Sequence, residues 1–547
     1  MKKIVWFDLN SSYAHSSLAL PALHAQVRDD GWQWEVVSST INEHVGMVVE
    51  SLYVHRPDVV AGTLWLFNHE VMLQVLARLK ALLPSCKVIL GGPECLGDNE
   101  ELLRRNGFVD CVFRGEGEEM FPRWLASYDY PDAWCEITGL CYLDVHGCYC
   151  DNGIARVADF ACLVAPEESS LFNWEKPFVQ LETTRGCFNT CAFCVSGGEK
   201  PVRLLPMEEI RRRLSIIHSH GIRDVRVLDR TFNFHPDRAS ALLQLFAEYA
   251  GKMRFHLEIH PALLTPSLRQ LLLRAPHGLL HLEAGIQSLR EDVLEWSQRR
   301  GRLKDALDGL CFLCGLSNME THADLIAGLP GYGWEALRED VLELARYKAG
   351  EIQLESLKVL PGTEMRRRAA EWGIVYSPYP PYEVLETRAI TATELQASRR
   401  LSRLLDGFYN APAWRVVTRQ LMLTHADFLD RFLDYLTAKG LIDQPMGLEK
   451  RGIVLYDFCR QYYPQDVLSV TLAWIEAGMS LKKTPAEGVR TKHQIPPMEW
   501  EEVCFGVFQP SLRWCFVPTD DVMAQHGYWY GFDQENQLVR PVFKGKC

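Results

Sequence analysis

The sequence lacks a long apolar run and any excess of basic residues. No stretch approaches the ~18 uninterrupted apolar residues of a membrane span. The N-terminus reaches Asp8 after only four apolar residues, too few for the apolar segment of a signal peptide. The 58 Lys and Arg residues are outnumbered by 70 Asp and Glu, for a formal net charge of −12, so nucleic-acid binding is not expected. These absences predict a cytoplasmic enzyme.

Cysteine, by contrast, is abundant, and three cysteines form one motif. Cys187, Cys191 and Cys194 stand at C-x3-C-x2-C spacing, directly after the strand-like run 178–182. A [4Fe–4S] cluster normally takes four cysteine ligands, so three leave one iron open. A structural zinc site would need a fourth Cys or His at a regular spacing, and His218 is too far along the chain. A disulfide framework does not fit a chain of this length without a signal peptide. The motif therefore favours an iron–sulfur cluster.

Residues 1–135 alternate between apolar strands and amphipathic helices, a pattern typical of a doubly wound parallel sheet. The third strand includes Thr63, the fourth ends in Gly91-Gly92-Pro93-Glu94, and the next leads into the turn Gly115-Glu116-Gly117-Glu118. Ligands of such sheets bind at the carboxyl ends of strands, where glycines let a flat ligand approach the backbone. Residues 136–175 are expected to form a linker with a hairpin.

Between residues 176 and 390 the strand–helix pattern repeats, which predicts a partial TIM-type (βα)6 barrel with its chemistry at the carboxyl ends of the strands. The first strand delivers the cysteines. Polar residues at or near the ends of later strands are Asp229, Asn233, Glu258 and Gln287. Residues 391–547 are expected to form a mainly helical extension with a small β tail. The predicted fold class is therefore α/β, with a Rossmann-like domain followed by the barrel.

The cysteine spacing, the Gly-rich strand ends and the ordered series of strands together resemble the B12 (cobalamin)-binding radical S-adenosylmethionine (SAM) proteins. The segment 378–385 and the C-terminal extension resemble the subfamily with an uncharacterised, DUF4080-like C-terminal domain. The resemblance implies three cofactors: a [4Fe–4S] cluster, SAM and cobalamin. Two departures stand out. A D-x-H-x-x-G cobalamin motif is absent from the first domain, and Asp229-Arg230-Thr231 stands where many members carry Gly-Gly-Glu.

The same resemblance assigns expected roles to individual residues. Phe193 would shield the cluster and touch the adenine of SAM, Asp229 or Asn233 would bind its methionine part, and Glu258, Glu283 and Gln287 would face the barrel mouth near the ribose or substrate. The residues expected to bind cobalamin are Thr63, Gly91, Gly92, Pro93, Glu94, Gly115, Glu116 and Glu118. Cobalamin would lack a protein histidine below the cobalt.

The function implied by the resemblance is methylation of an unactivated carbon, via methylcobalamin and a 5′-deoxyadenosyl radical. The partners would be a small-molecule or peptide substrate and an electron donor such as flavodoxin or ferredoxin. Two alternatives remain open: a radical cyclisation or rearrangement in which cobalamin carries no methyl group, and a corrinoid- or cluster-binding sensor without turnover. A methylthiotransferase is disfavoured, because Cys86, Cys95 and Cys111 lie on scattered positions rather than in a second cluster motif.

The motif generates a first prediction. Anaerobically reconstituted protein should bind about four irons per chain, and replacing Cys187, Cys191 or Cys194 by Ala should abolish the cluster absorption and SAM cleavage. Iron and sulfide analysis with absorption spectroscopy measures this, with Cys311→Ala as the control. Full iron content in the triple alanine variant would exclude the assignment.

Overall fold

The computed structural model describes residues 1–15, 17–27, 31–480, 483–486, 490–492, 513–518, 526–532 and 538–546. The chain divides into two compact units. The first comprises Met1–Leu337 and Ser356–Leu395, and the second comprises Arg338–Glu355 and Gln396–Cys547. Among the described residues, no helix is both long and apolar enough to cross a membrane.

The N-terminal part of the first unit is a seven-stranded sheet. The order is β2-β1-β3-β4-β5-β6-β7, with the first five strands parallel and the last two antiparallel. The elements are β1 (Lys2–Asn10), α1 (Ala19–His24), β2 (Trp32–Thr40), α2 (Val45–Tyr53), β3 (Val59–Thr63), α3 (His69–Leu82), β4 (Lys87–Gly91), α4 (Glu100–Arg105), β5 (Cys111–Phe113), α5 (Met120–Ala126), β6 (Leu140–Leu143) and β7 (Tyr149–Asp151).

Both faces of the central strands β1, β3, β4 and β5 are buried, which explains why these strands are mostly apolar. In β1, Val5 and Phe7 join one core and Ile4 and Trp6 join the other, as the two-residue period of a strand requires. The strand order reverses between β1 and β3, the place where doubly wound sheets bind ligands. The hairpin β6–β7, expected within a linker, extends the sheet.

Three cysteines of the first domain lie in the apolar cores that flank the sheet. Cys86, Cys95 and Cys111 are each at most 1% exposed. Burial raises the pKa of Cys86 to about 12 and raises the pKa values of the other two thiols as well. These thiols therefore act as small apolar side chains, as their scattered positions in the sequence predict.

The second part of the first unit is the barrel. Its parallel strands pair in the order β8-β11-β12-β13-β14. In chain order from residue 178, the elements are β8 (Phe178–Leu181), β9 (Thr184–Arg185), β10 (Arg203–Leu204), α6 (Met207–Ser219), β11 (Asp224–Val227), α7 (Pro236–Ala247), β12 (Arg254–Ile259), α8 (Pro266–Arg274), β13 (Leu280–Gln287), α9 (Glu291–Trp296), α10 (Leu303–Cys314), β14 (Glu320–Ala327), α11 (Trp334–Arg346), β15 (Glu351–Ser356), α12 (Glu364–Trp372), β16 (Val375–Tyr376) and β17 (Val384–Glu386). Most of α11 and of β15 belongs to the second unit.

Strand β13 shows how the barrel strands divide their side chains. Every second residue from Leu280 to Ile286 is buried, and the alternate positions, among them His281, Glu283 and Gln287, are half-buried. The apolar set faces the surrounding helices, so the polar set faces the lumen. All six expected strands are present, and the predicted α/β class with its Rossmann-like sheet and partial barrel is confirmed.

The second unit is mainly helical and ends in an antiparallel sheet of order β18-β19-β20-β21. Aromatic rings form its core, with ring centroids of Phe432 and Phe458 4.6 Å apart. The helices are α13 (Ala392–Leu404), α14 (Pro412–Thr424), α15 (Phe428–Ala438), α16 (Leu448–Tyr462) and α17 (Val467–Glu476). The strands are β18 (Arg490–Lys492), β19 (Arg513–Pro518), β20 (His526–Phe532) and β21 (Leu538–Lys546).

Gly92 provides a prediction about the turn after β4. Its φ is +102°, and an added Cβ would lie 2.6 Å from Cγ2 of Thr63. Gly92→Ala should therefore destabilise the protein by about 1–3 kcal/mol, measured by urea denaturation. The control is Gly107→Ala, because no atom lies within 4 Å of a Cβ there. Equal unfolding midpoints for the two variants would contradict the prediction.

Candidate functional site

The cysteine motif lies on a tight loop that follows β8 and β9. The backbone amide of Cys194 donates to the carbonyl of Cys191 at 3.1 Å, and that of Cys187 donates to the carbonyl of Glu199 at 3.1 Å. Gly197 is required inside the loop, because an added Cβ would lie 2.3 Å from the carbonyl oxygen of Cys191. The loop thus closes on itself and brings the three thiols into one region.

The segment 297–300 supports this loop from outside. The amide of Ala192 donates to the carbonyl of Ser297 at 2.9 Å, and the amide of Arg300 donates to Oδ1 of Asn189 at 2.9 Å. The Arg299 guanidinium donates to Sγ of Cys191 at 3.6 Å and to the carbonyl oxygen of Gly285. A fixed positive charge therefore lies beside one predicted cluster ligand.

Burial and two nearby arginines act in opposite directions on the thiols of this loop. Burial raises the pKa of Cys191 and of Cys194, while Arg299 opposes the shift at Cys191 and Arg230 opposes it at Cys194. Cys187 and Cys191 are 9% and 6% exposed. Three soft thiols on one closed loop fit the ligand preference of an iron–sulfur cluster.

Asp229 and Asn233 lie next to this loop, but their polar groups form hydrogen bonds with backbone atoms. Both are 1% exposed. The carboxylate of Asp229 accepts from the amides of Thr183 and Thr184 at 2.8 Å each and from the Thr183 hydroxyl. Asn233 exchanges two hydrogen bonds with the backbone of His260, at 2.9 and 2.8 Å. Their role in binding SAM stays a prediction; in the structure they fix the strand ends around the cysteine loop.

Glu258, Gln287 and Phe193 are more exposed to solvent than Asp229 and Asn233. Glu258 is half-buried on the lumen face of β12, and burial raises the pKa of its carboxyl, with Arg230 opposing the shift. Gln287 ends β13 with φ of +71°, directly after a register shift in the pairing with β14. Phe193 is half-buried between Cys191 and Cys194. Their assignment to SAM stays a prediction.

A layer of histidines in the lumen was missed by the sequence reasoning. Nε2 of His256 lies 3.0 Å from Oε2 of Glu283, and the Nε2 atoms of His281 and His322 are 2.6 Å apart. Burial and the neighbouring imidazole of His322 lower the pKa of His281, which favours its neutral form. At 2.6 Å, one of the two Nε2 atoms donates a hydrogen bond and the other accepts it. A signal existed: the triplet His-Leu-Glu occurs at 256–258 and again at 281–283, in register on adjacent strands.

The residues predicted to bind cobalamin fall into two groups. Thr63 and the turn from Gly91 to Glu94 lie at the carboxyl edge of the first sheet, where Thr63 pairs with Gly91 across β3 and β4. Gly115 packs against the chain instead, since an added Cβ would lie 2.2 Å from the carbonyl oxygen of Ala155.

The other two predicted residues, Glu116 and Glu118, are engaged in ion pairs. The carboxylate of Glu116 pairs with Arg203 at 2.6 Å, and that of Glu118 pairs with Arg185 at 2.7 Å. Arg185 lies two residues before Cys187 and also pairs with Glu182 at 2.8 Å. These contacts link the turn after β5 to the cysteine loop, and a role of Glu116 or Glu118 in cobalamin binding stays a prediction.

Comparison with known families identifies three regions. Residues 181–344 match the Radical SAM superfamily, residues 8–125 match the B12 binding domain, and residues 370–473 match a protein family of unknown function, DUF4080.

Individual relatives agree with this division. The cobalamin-dependent radical SAM methyltransferase TokK of Streptomyces tokunonensis is 23% identical over 57% of this chain and 48% of its own. The 2-(S-pantetheinyl)-carbapenam-3-carboxylate methyltransferase of Streptantibioticus cattleyicolor is 24% identical over 70% of this chain and 62% of its own. The chain thus spans about half to two thirds of the length of these relatives. The structure of the cobalamin-dependent SAM radical enzyme OxsB superposes with a TM-score of 0.61 at 15% identity, covering 87% of this chain and 79% of that one.

The chain therefore combines a B12 binding domain with a radical SAM domain, as the sequence predicts. Residues 370–473 add the DUF4080 region.

Arg299 provides a prediction about the cluster site. Arg299→Met removes a cation and a hydrogen-bond donor beside the Cys191 sulfur, and both stabilise the more negative, reduced cluster. The midpoint potential should fall by about 60 mV, the one-electron equivalent of about 1.4 kcal/mol. Redox titration followed by electron paramagnetic resonance (EPR) measures this. Arg302→Met is the control, because the Arg302 side chain is 82% exposed and pairs with Asp305. An unchanged potential at full iron content would contradict the prediction.

Proposed function

We propose that this protein is a cobalamin-dependent radical SAM enzyme that methylates an unactivated carbon. The observation that carries the proposal is the set of ion pairs that Arg185 makes with Glu118 and Glu182. Through it, the cysteine loop and the turn after β5 of the B12 binding domain are held together within one compact unit. An enzyme that uses both cofactors on one substrate needs such a fixed arrangement, because reacting groups must be held close together and aligned.

The residues present fit the two cofactor sites. Cys187, Cys191 and Cys194 would hold the cluster, and the edge formed by Thr63 and the turn 91–94 would receive the corrin. When bound, the cluster would supply the electron that cleaves SAM, and cobalamin would carry the methyl group. Arg299 would hold its positive charge at the cluster's Cys191 ligand, and Asp229 and Asn233 would keep the surrounding strand ends in place.

The polar side chains on the lumen face of the barrel favour a polar substrate. Glu258 and Glu283 are paired in register on β12 and β13, and His256 binds Glu283. Burial raises the pKa of Glu258, with Arg230 opposing the shift, which makes its charged form less favourable than in water. These groups would orient a small molecule or peptide through its polar atoms while a carbon–hydrogen bond faces the mouth of the barrel.

The overall reaction balances with two electrons. One SAM gives up its methyl group and leaves as S-adenosylhomocysteine. A second SAM accepts one electron and is cleaved to methionine and the 5′-deoxyadenosyl radical, which takes a hydrogen atom from the substrate and leaves as 5′-deoxyadenosine. The methyl group leaves SAM without its bonding electron pair. The second electron and the unpaired electron of the substrate radical therefore form the new bond between the methyl group and the substrate carbon. A flavodoxin or ferredoxin in the cytoplasm would supply both electrons.

The named relatives TokK and the carbapenam methyltransferase favour methylation over the alternatives. A methylthiotransferase with a second cluster in the first domain is disfavoured, because Cys86, Cys95 and Cys111 are buried in apolar cores. Cyclisation or rearrangement, and a sensor without turnover, are separated from methylation by the products.

The test is a product analysis under anaerobic conditions. The reconstituted protein is incubated with reductant, cobalamin, SAM carrying a deuterated methyl group and a small-molecule extract of the source cells. We expect 5′-deoxyadenosine and S-adenosylhomocysteine in equal amounts, together with a deuterium-labelled product, by mass spectrometry. Cys194→Ala, the control, should produce none of the three.

Each other outcome selects an alternative. Deoxyadenosine without S-adenosylhomocysteine would indicate cyclisation or rearrangement. S-adenosylhomocysteine alone would indicate a corrinoid methyltransferase without radical chemistry. Neither product from protein that holds both cofactors would indicate a sensor.

A further inference from the structure

The carboxylate of Glu94 is buried between two partners from distant parts of the first unit. Its side chain is 3% exposed. Oε2 accepts from the hydroxyl of Tyr382 at 2.7 Å and lies 2.8 Å from Nδ1 of His69 at the start of α3. Glu94 ends the Gly91–Glu94 turn, while Tyr382 comes from the segment that follows the barrel strands. The two polar partners stabilise the buried carboxylate, because leaving it unpaired would be costly.

The next residues of the same turn meet the same segment through the backbone. An added Cβ at Gly97 would lie 3.1 Å from the amide nitrogen of Gly362. At Gly362, where φ is +79°, an added Cβ would lie 3.0 Å from the carbonyl oxygen of Leu96. Only glycine allows two turns to approach so closely. The turn after β4 is therefore held by the segment 361–382 at two separate points.

Tyr382 itself is held in an uncommon conformation. Its φ of +57° lies in the left-handed region, which a bulky residue rarely adopts. The carbonyl of Tyr382 accepts from the amide of Val359 at 2.9 Å, and the guanidinium of Arg366 lies 4.5 Å from the ring centroid. Burial and the Glu94 carboxylate raise the pKa of Tyr382, so the hydroxyl remains a donor. Strained residues of this kind persist where the surrounding structure fixes them, often next to functional sites.

We propose that Tyr382 is a positioning residue of the cobalamin site, acting through Glu94 to fix the Gly91–Glu94 turn against which the corrin would lie. The inference rests on the proposed function, because it requires that cobalamin binds at this edge. It gives the start of the region of unknown function, residues 370–473, a specific role, because the tyrosine of that region holds the corrinoid-binding turn in one conformation. A turn fixed in advance binds its ligand more tightly, because less conformational freedom is lost on binding.

The test is a double-mutant cycle on cobalamin affinity. Wild type, Tyr382→Phe, Glu94→Gln and the double variant are titrated with hydroxocobalamin, and bound cob(II)alamin is examined by EPR. Tyr382→Phe should weaken binding about tenfold and alter the cob(II)alamin signal, with iron content unchanged. Because Tyr382 acts through Glu94, the double variant should bind no more weakly than Glu94→Gln alone.

The matched control is Tyr379→Phe, the same chemical change at an exposed tyrosine of the same segment, which should bind as wild type does. Wild-type affinity in Tyr382→Phe, or additive losses in the double variant, would overturn this inference alone. If the Phe variant does not fold, Glu94→Gln decides: wild-type affinity there overturns the inference equally. A wild-type protein that binds no cobalamin would overturn the proposed function and the inference together.

Discussion

The ion pairs of Arg185 and Arg203 determine how the parts of the first unit are held together. Arg185 pairs with Glu118 and Glu182, and Arg203 pairs with Glu116 and with Glu199 of the cysteine loop. The carboxylate side chains are only 10–21% exposed. Burial lowers the pKa of Arg185, but Glu182 and Glu118 outweigh this and raise it, so it stays charged. Removing one partner of such a network costs about 3–5 kcal/mol, because a charge is left buried and unpaired. The position of the cysteine loop against the first sheet depends on these ion pairs.

Strand register plays the corresponding role inside the barrel. Two copies of the triplet His-Leu-Glu lie side by side because β12 and β13 are parallel and pair His256 with His281. The leucines of the triplets are buried and their polar neighbours face the lumen, as the two-residue period of a strand requires. The alternation of side chains along each strand therefore places apolar residues on the outer face of the barrel and polar residues in its interior.

Prediction from sequence succeeded where a signal is local. The alternation of strands and helices gives both parallel sheets, since periodicity is read within a few residues. The cysteine spacing is a local signal of the same kind, and its assignment to a cluster stays a prediction. It was less informative about polar residues near strand ends. Asp229 and Asn233 lie where the resemblance places SAM ligands, yet their side chains bind backbone groups of Thr183 and His260. Which partner a polar group takes depends on residues far away in the chain, so the pattern alone does not specify it.

The sequence by itself determined the fold class, the three thiols and the glycine-rich turn after β4, because each depends on residue type and spacing over a short range. Only the tertiary structure decided that Arg299 lies beside Cys191, that Arg185 joins two domains, and that Tyr382 meets Glu94 across 288 positions of the chain. These contacts join residues that are far apart in the chain and that only the paired sheets and the long connections bring together. Their geometry follows from packing and from pairing of buried charges, which no local pattern records.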